Sequence, residues 1–286
     1  MTADSFPLGA RSVRRLGYGA MQLAGPGVFG PPKDRNTAIA VLRNAVELGV
    51  NHIDTAQYYG PDVVNDLIRE ALRPYPDDLA LVTKVGAARD AAGRWLPAFA
   101  PDQLRQGVLD NLRSLGVDRL DAANLRLMST DPEAGFGEQL DALIAVRDEG
   151  LIAGIGLSNV SRAQLLQAVR RTEIVCVQNP LSLLEREAMP VLQECEELGI
   201  AFVPYFPLGS AFGGADRLLN HPDVIATATR LAATPSQIAL AWLLALAPNV
   251  LLIPGTSSLA HLRENLAAGR VRLDDEALKV LDALTV

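Results

Sequence analysis

The 286-residue chain is poor in the residues that build disulfide scaffolds and metal clusters. It has two cysteines and three histidines. Two cysteines cannot staple a secreted fold, so we expect a protein of the reducing cytoplasm. The histidines, His52, His221 and His261, are far apart in sequence, and we therefore expect no metal site.

The sequence also lacks a basic excess and a long apolar run. It has 33 acidic and 26 basic residues, a formal net charge of −7, whereas nucleic-acid binding calls for a basic stripe. The longest apolar run, residues 238–247, ends at Pro248 and is shorter than a membrane span. We expect neither a nucleic-acid partner nor a membrane span, and the sequence leaves the oligomeric state open.

Short apolar segments alternate with longer amphipathic ones along the chain. Because the apolar segments lack polar alternation, they are typical of parallel strands covered on both faces. Eight strand–helix units without a linker predict an α/β fold, a single-domain (β/α)8 TIM barrel over residues 1–286; an open doubly wound sheet is the alternative. The predicted strands are residues 13–20, 52–54, 79–85, 120–127, 152–157, 174–178, 200–205 and 250–253, and the predicted helices are residues 36–48, 63–72, 101–115, 136–148, 162–171, 187–198 and 236–246.

Residues 25–30, GPGVFG, satisfy the glycine pattern of dinucleotide-binding folds. In those folds the third glycine opens a helix that holds pyrophosphate. Here two prolines follow, and helical periodicity begins only near Asp34. We interpret this segment as a glycine-rich loop over the barrel mouth.

Two predicted strand ends carry opposite charges. Asp54 ends one strand, with Tyr59 in the following loop, and Lys84 lies at the end of the next, otherwise apolar strand. Alone, Asp54 fits a turn or helix cap, and Lys84 fits a side chain that reaches solvent. However, both faces of a barrel strand are largely dry, and an unpaired buried ammonium is costly. We therefore predict a buried Lys84–Asp54 pair.

A buried pair of this kind beside a phenol predicts a proton donor. The ammonium of Lys84 favours the phenolate and would lower the pKa of Tyr59, while Asp54 keeps the ammonium charged. A tyrosine tuned in this way gives a proton to a carbonyl oxygen as negative charge develops there. Such a reaction also needs a hydride donor.

Several motifs occur in the order found in aldo-keto reductases, which this sequence resembles over nearly its whole length. Within that family, residues 19–30 and 250–258 most resemble bacterial pyridoxal reductases. The motifs are IDTAQYYG at 53–60, VTKV at 82–85, GLSN at 156–159, VQN at 177–179, YFPL at 205–208, IPG at 253–255 and EN at 264–265.

The resemblance implies a barrel that binds NADPH without a Rossmann domain. It places Asp54, Tyr59 and Lys84 on three members of the family's catalytic tetrad. It implies that the polar side chains of Ser158, Asn159 and Gln178 hold the nicotinamide carboxamide. It also implies that Tyr205 stacks on the nicotinamide ring. The implied cofactor residues are Ser158, Asn159, Gln178, Tyr205, Pro207, Leu208, Gly255, Ser257, Ser258, His261, Glu264 and Asn265.

The sequence departs from the family at the fourth tetrad position. That position is normally a histidine at the end of the fourth strand, but this chain has Arg126. Arginine keeps its proton and cannot shuttle it, although it can hydrogen-bond a carbonyl oxygen. We predict that Arg126 orients a polar or anionic substrate; the alternative is a structural arginine paired with a carboxylate.

A second departure lies in the loop that would bind the adenosine 2′-phosphate. Ser258 and His261 stand where basic residues are common in the family. Ser257, Ser258, His261 and Arg263 could still bind a phosphate, aided by a helix N-terminus. We therefore predict NADPH in preference to NADH.

Four other side chains admit two interpretations. His52 shares strand parity with Asp54 and is predicted to be a core histidine; the alternative is a catalytic histidine. Phe29, Tyr58 and Trp95 follow strands and either line an aromatic pocket or pack within loops.

The predicted function is NADPH-dependent reduction of a small aldehyde or ketone, with pyridoxal to pyridoxine as the most specific substrate. Tyr59 is the predicted acid, tuned by Lys84 and Asp54. A cofactor-sensing regulatory subunit with little turnover is an alternative, since such relatives also lack the histidine. A metal-dependent barrel lyase or isomerase is a third possibility, but only the Asp54 region offers histidine and carboxylate together.

Overall fold

The computed structural model describes residues 4–128, 135–209 and 215–284. Its strands are β1 (Ser5–Leu8), β2 (Arg11–Arg14), β3 (Tyr18–Gly19), β4 (His52–Asp54), β5 (Ala80–Val85), β6 (Ala87–Arg89), β7 (Trp95–Pro97), β8 (Leu120–Arg126), β9 (Ile152–Ser158), β10 (Cys176–Gln178) and β11 (Ala201–Phe202). Its α-helices are α1 (Arg35–Glu47), α2 (Val63–Leu72), α3 (Pro101–Leu115), α4 (Phe136–Asp148), α5 (Arg162–Val169), α6 (Met189–Glu197), α7 (Ala215–Leu219), α8 (Pro222–Arg230), α9 (Pro235–Leu246), α10 (Leu259–Ala267) and α11 (Asp275–Asp282).

Seven parallel strands form one sheet in the order β11-β10-β9-β8-β5-β4-β3. The eighth predicted strand, residues 250–253, closes it into a barrel. Leu251 N–H donates to the Phe202 carbonyl on one edge, and Leu252 N–H donates to the Arg15 carbonyl on the other. The predicted (β/α)8 fold is therefore confirmed. That residues 1–286 form a single domain remains a prediction.

The residues predicted as one strand, 13–20, form two elements instead. β1 and β2 pair as an antiparallel hairpin. The chain then joins the barrel, first at Arg15 and Leu16 beside Leu252 and then at Tyr18–Gly19 beside β4. The break falls at Arg15, whose side chain donates to the carbonyls of Leu244, Ala247 and Val250. The chain thus leaves the hairpin and enters the barrel at Arg15. The apolar pattern of residues 13–20 gives no sign of this change.

The barrel has two separate apolar layers, as strand alternation requires. One layer lies between the strands and the surrounding helices and contains most buried leucines and isoleucines. The other fills the barrel interior with small residues such as Ala80, Ala122 and Ala201, and also includes Leu8 and Val13 of the hairpin. The hairpin therefore covers the end of the barrel opposite the carboxyl ends of the strands.

Helix boundaries follow the expected local chemistry. The Asp34 carboxylate accepts from Thr37 N–H at the start of α1, and Ser161 and Thr234 form capping boxes with Gln164 and Gln237. Asp274 caps α11, in agreement with its acidic start in sequence. These caps fix where the strand–helix loops begin and end.

Candidate active site

A cavity of about 480 Å³ opens at the carboxyl ends of the barrel strands. This is the face on which barrel enzymes carry their chemistry. Its lining includes the predicted catalytic residues Asp54, Tyr59, Lys84 and Arg126. It also includes six of the predicted cofactor residues: Ser158, Gln178, Tyr205, Pro207, Leu208 and Gly255.

The predicted Lys84–Asp54 pair is present and buried. The ammonium of Lys84 donates to Asp54 Oδ1 and, at 3.2 Å, to the carbonyl of Thr55. Asp54 Oδ2 accepts from Gln178 Nε2 at 2.6 Å. Lys84 is 5% exposed and Asp54 3%, so water does not screen the two charges. Parallel pairing of β4 with β5 brings the two strand ends together.

Tyr59 lies beside this pair. Its ring centroid is 5.3 Å from Lys84 Nζ, and its carbonyl accepts from Val64 N–H at the start of α2. Burial raises the pKa of the Tyr59 phenol, the negative charge of Asp54 raises it further, and Arg126 opposes both. The direction of the pKa shift is opposite to the lowering that the sequence predicted, because burial is its largest cause and the charge of Asp54 acts in the same direction. The phenol is therefore protonated, as a proton donor must be.

Arg126 ends β8 and projects toward the cavity, where its charge acts on the pKa values of Tyr58, Tyr59 and Tyr205. Its guanidinium lies 5.4 Å from the ring centroid of Trp95. Among the described residues no carboxylate lies within 4.0 Å of it, so the structural alternative of an ion pair has no partner there.

The cavity fits a nicotinamide carboxamide at Gln178. With Nε2 committed to Asp54, Gln178 Oε1 is buried and has no hydrogen-bond partner within the described chain. An amide N–H of a bound carboxamide would satisfy this acceptor. Nearby, a Cβ added to Gly255 would lie 2.6 Å from the Gly19 carbonyl. The glycine thus permits the close backbone approach that forms this wall.

Six other predicted cofactor residues do not line this cavity. Asn159 adopts a φ of 60° and donates from Nδ2 to the carbonyl of Leu127. The other five occupy the segment that leaves the cavity after Gly255: Ser257, Ser258, His261, Glu264 and Asn265.

Within that segment, the environments differ. Ser258 caps α10 by accepting from His261 N–H, and Glu264 accepts from the Thr234 hydroxyl at 2.6 Å. Asn265 is buried, whereas Ser257 and His261 are exposed. The side chains of Ser257 and His261 are therefore open to solvent at the N-terminus of α10, where a phosphate could bind.

The glycine-patterned segment, residues 25–30, is a loop that contains a single 3-10 turn at Pro26–Val28, and α1 begins only at Arg35. The guanidinium of Arg89 donates to the carbonyls of Gly27 and Val28 and lies 4.2 Å from the ring centroid of Trp95. These hydrogen bonds hold the segment against the β6–β7 hairpin beside the cavity. The segment does not open an α-helix, in agreement with the loop interpretation.

Sequence reasoning missed several lining residues. Met21 and Gln22 belong to a short helical turn after β3, Ile253 ends the eighth strand, and Pro254 follows it. The available signal was positional: each follows the carboxyl end of a barrel strand. Of the three aromatic residues with two sequence interpretations, Tyr58 and Trp95 line the cavity and Phe29 does not. Trp95 does so from β7, a strand that the sequence did not predict.

His52 is a fully buried core histidine in the barrel interior. Its two ring nitrogens have no hydrogen-bond partner among the described residues. Burial lowers its pKa to about 4, and Lys84 lowers it further while Asp54 acts in the opposite direction. The imidazole is therefore neutral in the folded protein at neutral pH.

This lowered pKa predicts acid sensitivity. An unfolded histidine titrates near 6.5, so below that pH only the unfolded chain takes up this proton. We expect the unfolding free energy to fall by on the order of 3 kcal/mol between pH 6.5 and 4 on account of His52. Urea unfolding at stepped pH measures the slope. Replacing His52 with Gln should flatten the slope of unfolding free energy against pH, whereas replacing the exposed His261 with Gln should leave that slope unchanged. Equal slopes in all three proteins would contradict His52 as the source of the acid sensitivity.

Within residues 4–128, 135–209 and 215–284, no helix is long and apolar enough to cross a membrane. The same ranges contain no group of three or more His, Cys, Asp or Glu side chains that could hold a metal ion.

Comparisons with known proteins agree with this geometry. The profile of the Aldo/keto reductase family matches residues 15–286. Pyridoxine 4-dehydrogenase of Escherichia coli is 52% identical over 289 residues, which cover 100% of this chain and 99% of that protein.

Two solved structures are similar. A thermostable aldo-keto reductase in complex with the inhibitor epalrestat is 30% identical, with a TM-score of 0.81 over 98% of each chain. An aldo/keto reductase from Klebsiella pneumoniae in complex with NADP and acetate is 26% identical, with a TM-score of 0.79 over 98% of this chain and 94% of that one. The chain therefore belongs to the aldo/keto reductase family and is an NADP-dependent oxidoreductase, as its motifs predicted.

Proposed function

We propose that this protein uses NADPH to reduce a small aldehyde or ketone to an alcohol, with pyridoxal, reduced to pyridoxine, as its substrate. The observation that carries the proposal is one cavity lined by a protonated phenol, a buried ammonium–carboxylate pair and an arginine that has no carboxylate partner among the described residues. The full-length similarity to pyridoxine 4-dehydrogenase supports the choice of substrate.

In the mechanism, NADPH supplies the hydride that reduces the carbonyl carbon. Tyr59 gives its phenolic proton to the carbonyl oxygen as negative charge develops there. As the phenolate forms, the nearby ammonium of Lys84 stabilises it, and Asp54 holds that ammonium in place. The alcohol leaves, and Tyr59 regains a proton from solvent.

We assign cofactor binding to two groups of residues. Gln178 and Ser158 would hold the carboxamide, and Tyr205 would stack on the nicotinamide ring, supported by their places in the cavity wall. The segment after Gly255 would hold the adenosine phosphates, with exposed Ser257 and His261 at the N-terminus of α10.

Arg126 is proposed to bind the substrate oxygen, and its replacement tests this role. Hydrogen bonds to charged groups contribute roughly 1.5–3 kcal/mol, so Arg126→Met should lower kcat/KM by about 10- to 150-fold. Because the guanidinium has no carboxylate partner in the described chain, the unfolding free energy should change by about 1 kcal/mol or less. NADPH consumption and urea unfolding provide the two measurements.

Arg89→Met is the matched control. Arg89 lies over the same Trp95 ring but is committed to the carbonyls of Gly27, Val28 and Gly93. The Arg89→Met variant should show a clear loss of unfolding free energy and a smaller loss of kcat/KM. If Arg126→Met lost stability and activity in equal measure, its proposed role would be wrong.

The function itself is tested by NADPH consumption with pyridoxal and with benzaldehyde. Rapid reduction of pyridoxal supports the proposal. Turnover of benzaldehyde but not of pyridoxal would support the reductase activity and contradict pyridoxal as its substrate. Tight NADPH binding without turnover of either aldehyde would support the regulatory alternative. We further propose a small carbonyl compound as the substrate partner, with neither nucleic acid nor a membrane as a partner, and the cytoplasm as the location, given two free cysteines and a net charge of −7.

A further inference from the structure

The hydroxyl of Tyr58 is an unsatisfied polar group in the wall of the substrate cavity. Tyr58 is 2% exposed, and its hydroxyl has no hydrogen-bond partner within the described residues. Leaving a buried hydroxyl unpaired costs about 1–3 kcal/mol. Folded proteins retain such a group where something else, such as a ligand, completes its hydrogen bonding.

The position of Tyr58 is fixed by aromatic contacts. Its ring packs edge-to-face on Tyr59 and on Trp95, with centroid separations of 5.4 Å in each case. The charges of Lys84 and Arg126 both act on its pKa, which burial raises. The hydroxyl therefore stays protonated, in electrostatic reach of the proposed proton donor and of Arg126.

Arg126 supplies a cation to the same part of the cavity. Among described residues it has no carboxylate within 4.0 Å, and one N–H of its guanidinium donates to Met128 Sδ at 2.7 Å. Because a thioether sulfur is a weak acceptor, the guanidinium can instead donate to an anionic ligand. A guanidinium binds two neighbouring oxygens with parallel hydrogen bonds. Trp95, Tyr58 and Tyr205 make this wall aromatic, which suits a flat ring.

We propose that Arg126 and Tyr58 form a binding subsite, the Arg126–Tyr58 subsite, for an ionised hydroxyl adjacent to the aldehyde on an aromatic substrate. The guanidinium bridges the aldehyde oxygen and the neighbouring phenolate oxygen, and the Tyr58 hydroxyl donates to the phenolate. This inference rests on the proposed reductase function and deepens it: the preferred substrates are aromatic aldehydes with a vicinal hydroxyl group.

Three commercial aldehydes separate the parts of this claim. With NADPH in excess, kcat/KM is measured for 2-hydroxybenzaldehyde, 4-hydroxybenzaldehyde and benzaldehyde. We expect the wild type to favour the 2-hydroxy over the 4-hydroxy compound by about tenfold or more. The ratio should rise with pH through the ionisation of the substrate hydroxyl, because only the phenolate pairs with the guanidinium.

Two variants test the residues. Arg126→Lys keeps the charge but loses the fork, and Tyr58→Phe removes one oxygen while keeping the ring; each should lower the 2-hydroxy to 4-hydroxy ratio about fivefold or more, mainly through KM. Tyr75→Phe is the control, because the Tyr75 hydroxyl donates to the Leu115 carbonyl at the end of α3, and it should keep the wild-type ratio.

The outcomes separate this inference from the function on which it rests. Reduction of pyridoxal with ratios unaltered by either variant would overturn the subsite and keep the function. Loss of the 2-hydroxy preference in both variants, without pyridoxal reduction by the wild type, would keep the subsite and overturn the pyridoxal assignment. No turnover of any aldehyde would overturn both.

Discussion

Replacing Tyr59 with phenylalanine is expected to lower kcat by about 10²- to 10⁴-fold, the range that general acid catalysis contributes. The variant keeps the ring that packs on Tyr58 and lies 5.3 Å from Lys84 Nζ. It loses only the proton that the carbonyl oxygen needs. Because the cavity wall is retained, NADPH affinity should stay within about threefold and unfolding free energy within about 1 kcal/mol of the wild type.

Tyr75→Phe controls for the loss of a phenol elsewhere, since the Tyr75 hydroxyl donates to the Leu115 carbonyl at the end of α3 and neither residue lines the cavity. It should turn over at the wild-type rate. The measurement is NADPH oxidation with saturating pyridoxal, alongside NADPH titration. A Tyr59→Phe protein that kept more than about a tenth of its turnover would remove Tyr59 from the role of proton donor.

Replacing Lys84 with methionine should damage both the fold and the reaction. It leaves the Asp54 carboxylate buried, with Gln178 and no cation to balance its charge. Breaking a buried ion pair on one side costs about 3–5 kcal/mol. Turnover should be lost as well, because the phenolate that forms at Tyr59 has no neighbouring ammonium.

A double variant separates the two losses. Asp54→Asn with Lys84→Met removes both charges and keeps an acceptor for Gln178, so unfolding free energy should return to within about 2 kcal/mol of the wild type. Turnover should stay lost. As a control, Arg105→Met breaks the exposed pair with Glu149 and should cost about 1 kcal/mol or less. Equal destabilisation by the single and double variants would contradict the charge-burial argument.

The sequence predicted the buried pair because of a physical constraint. A lysine at the end of an apolar strand needs a carboxylate, and the parallel order of β4 and β5 places Asp54 next to it. The barrel followed in the same way from repeated strand–helix units. These features depend on periodicity and on the cost of burying charge, both of which a single sequence reports.

The features that the sequence did not predict depend on distant contacts. The change of pairing at Arg15 is set by carbonyls more than 200 positions later in the chain. The direction of the Tyr59 pKa shift was wrong in prediction because it depends on how completely the phenol is buried. The β6–β7 hairpin was missed because its short strands lack an apolar alternation.

The two tryptophans occupy opposite environments, which gives the protein two independent optical signals. Trp242 is 1% exposed in α9, and its indole N–H donates to Asp282 at 2.8 Å. Trp95 lines the cavity between two guanidinium groups. Fluorescence from Trp242 therefore reports whether the chain is folded, and fluorescence from Trp95 reports whether the cavity is filled.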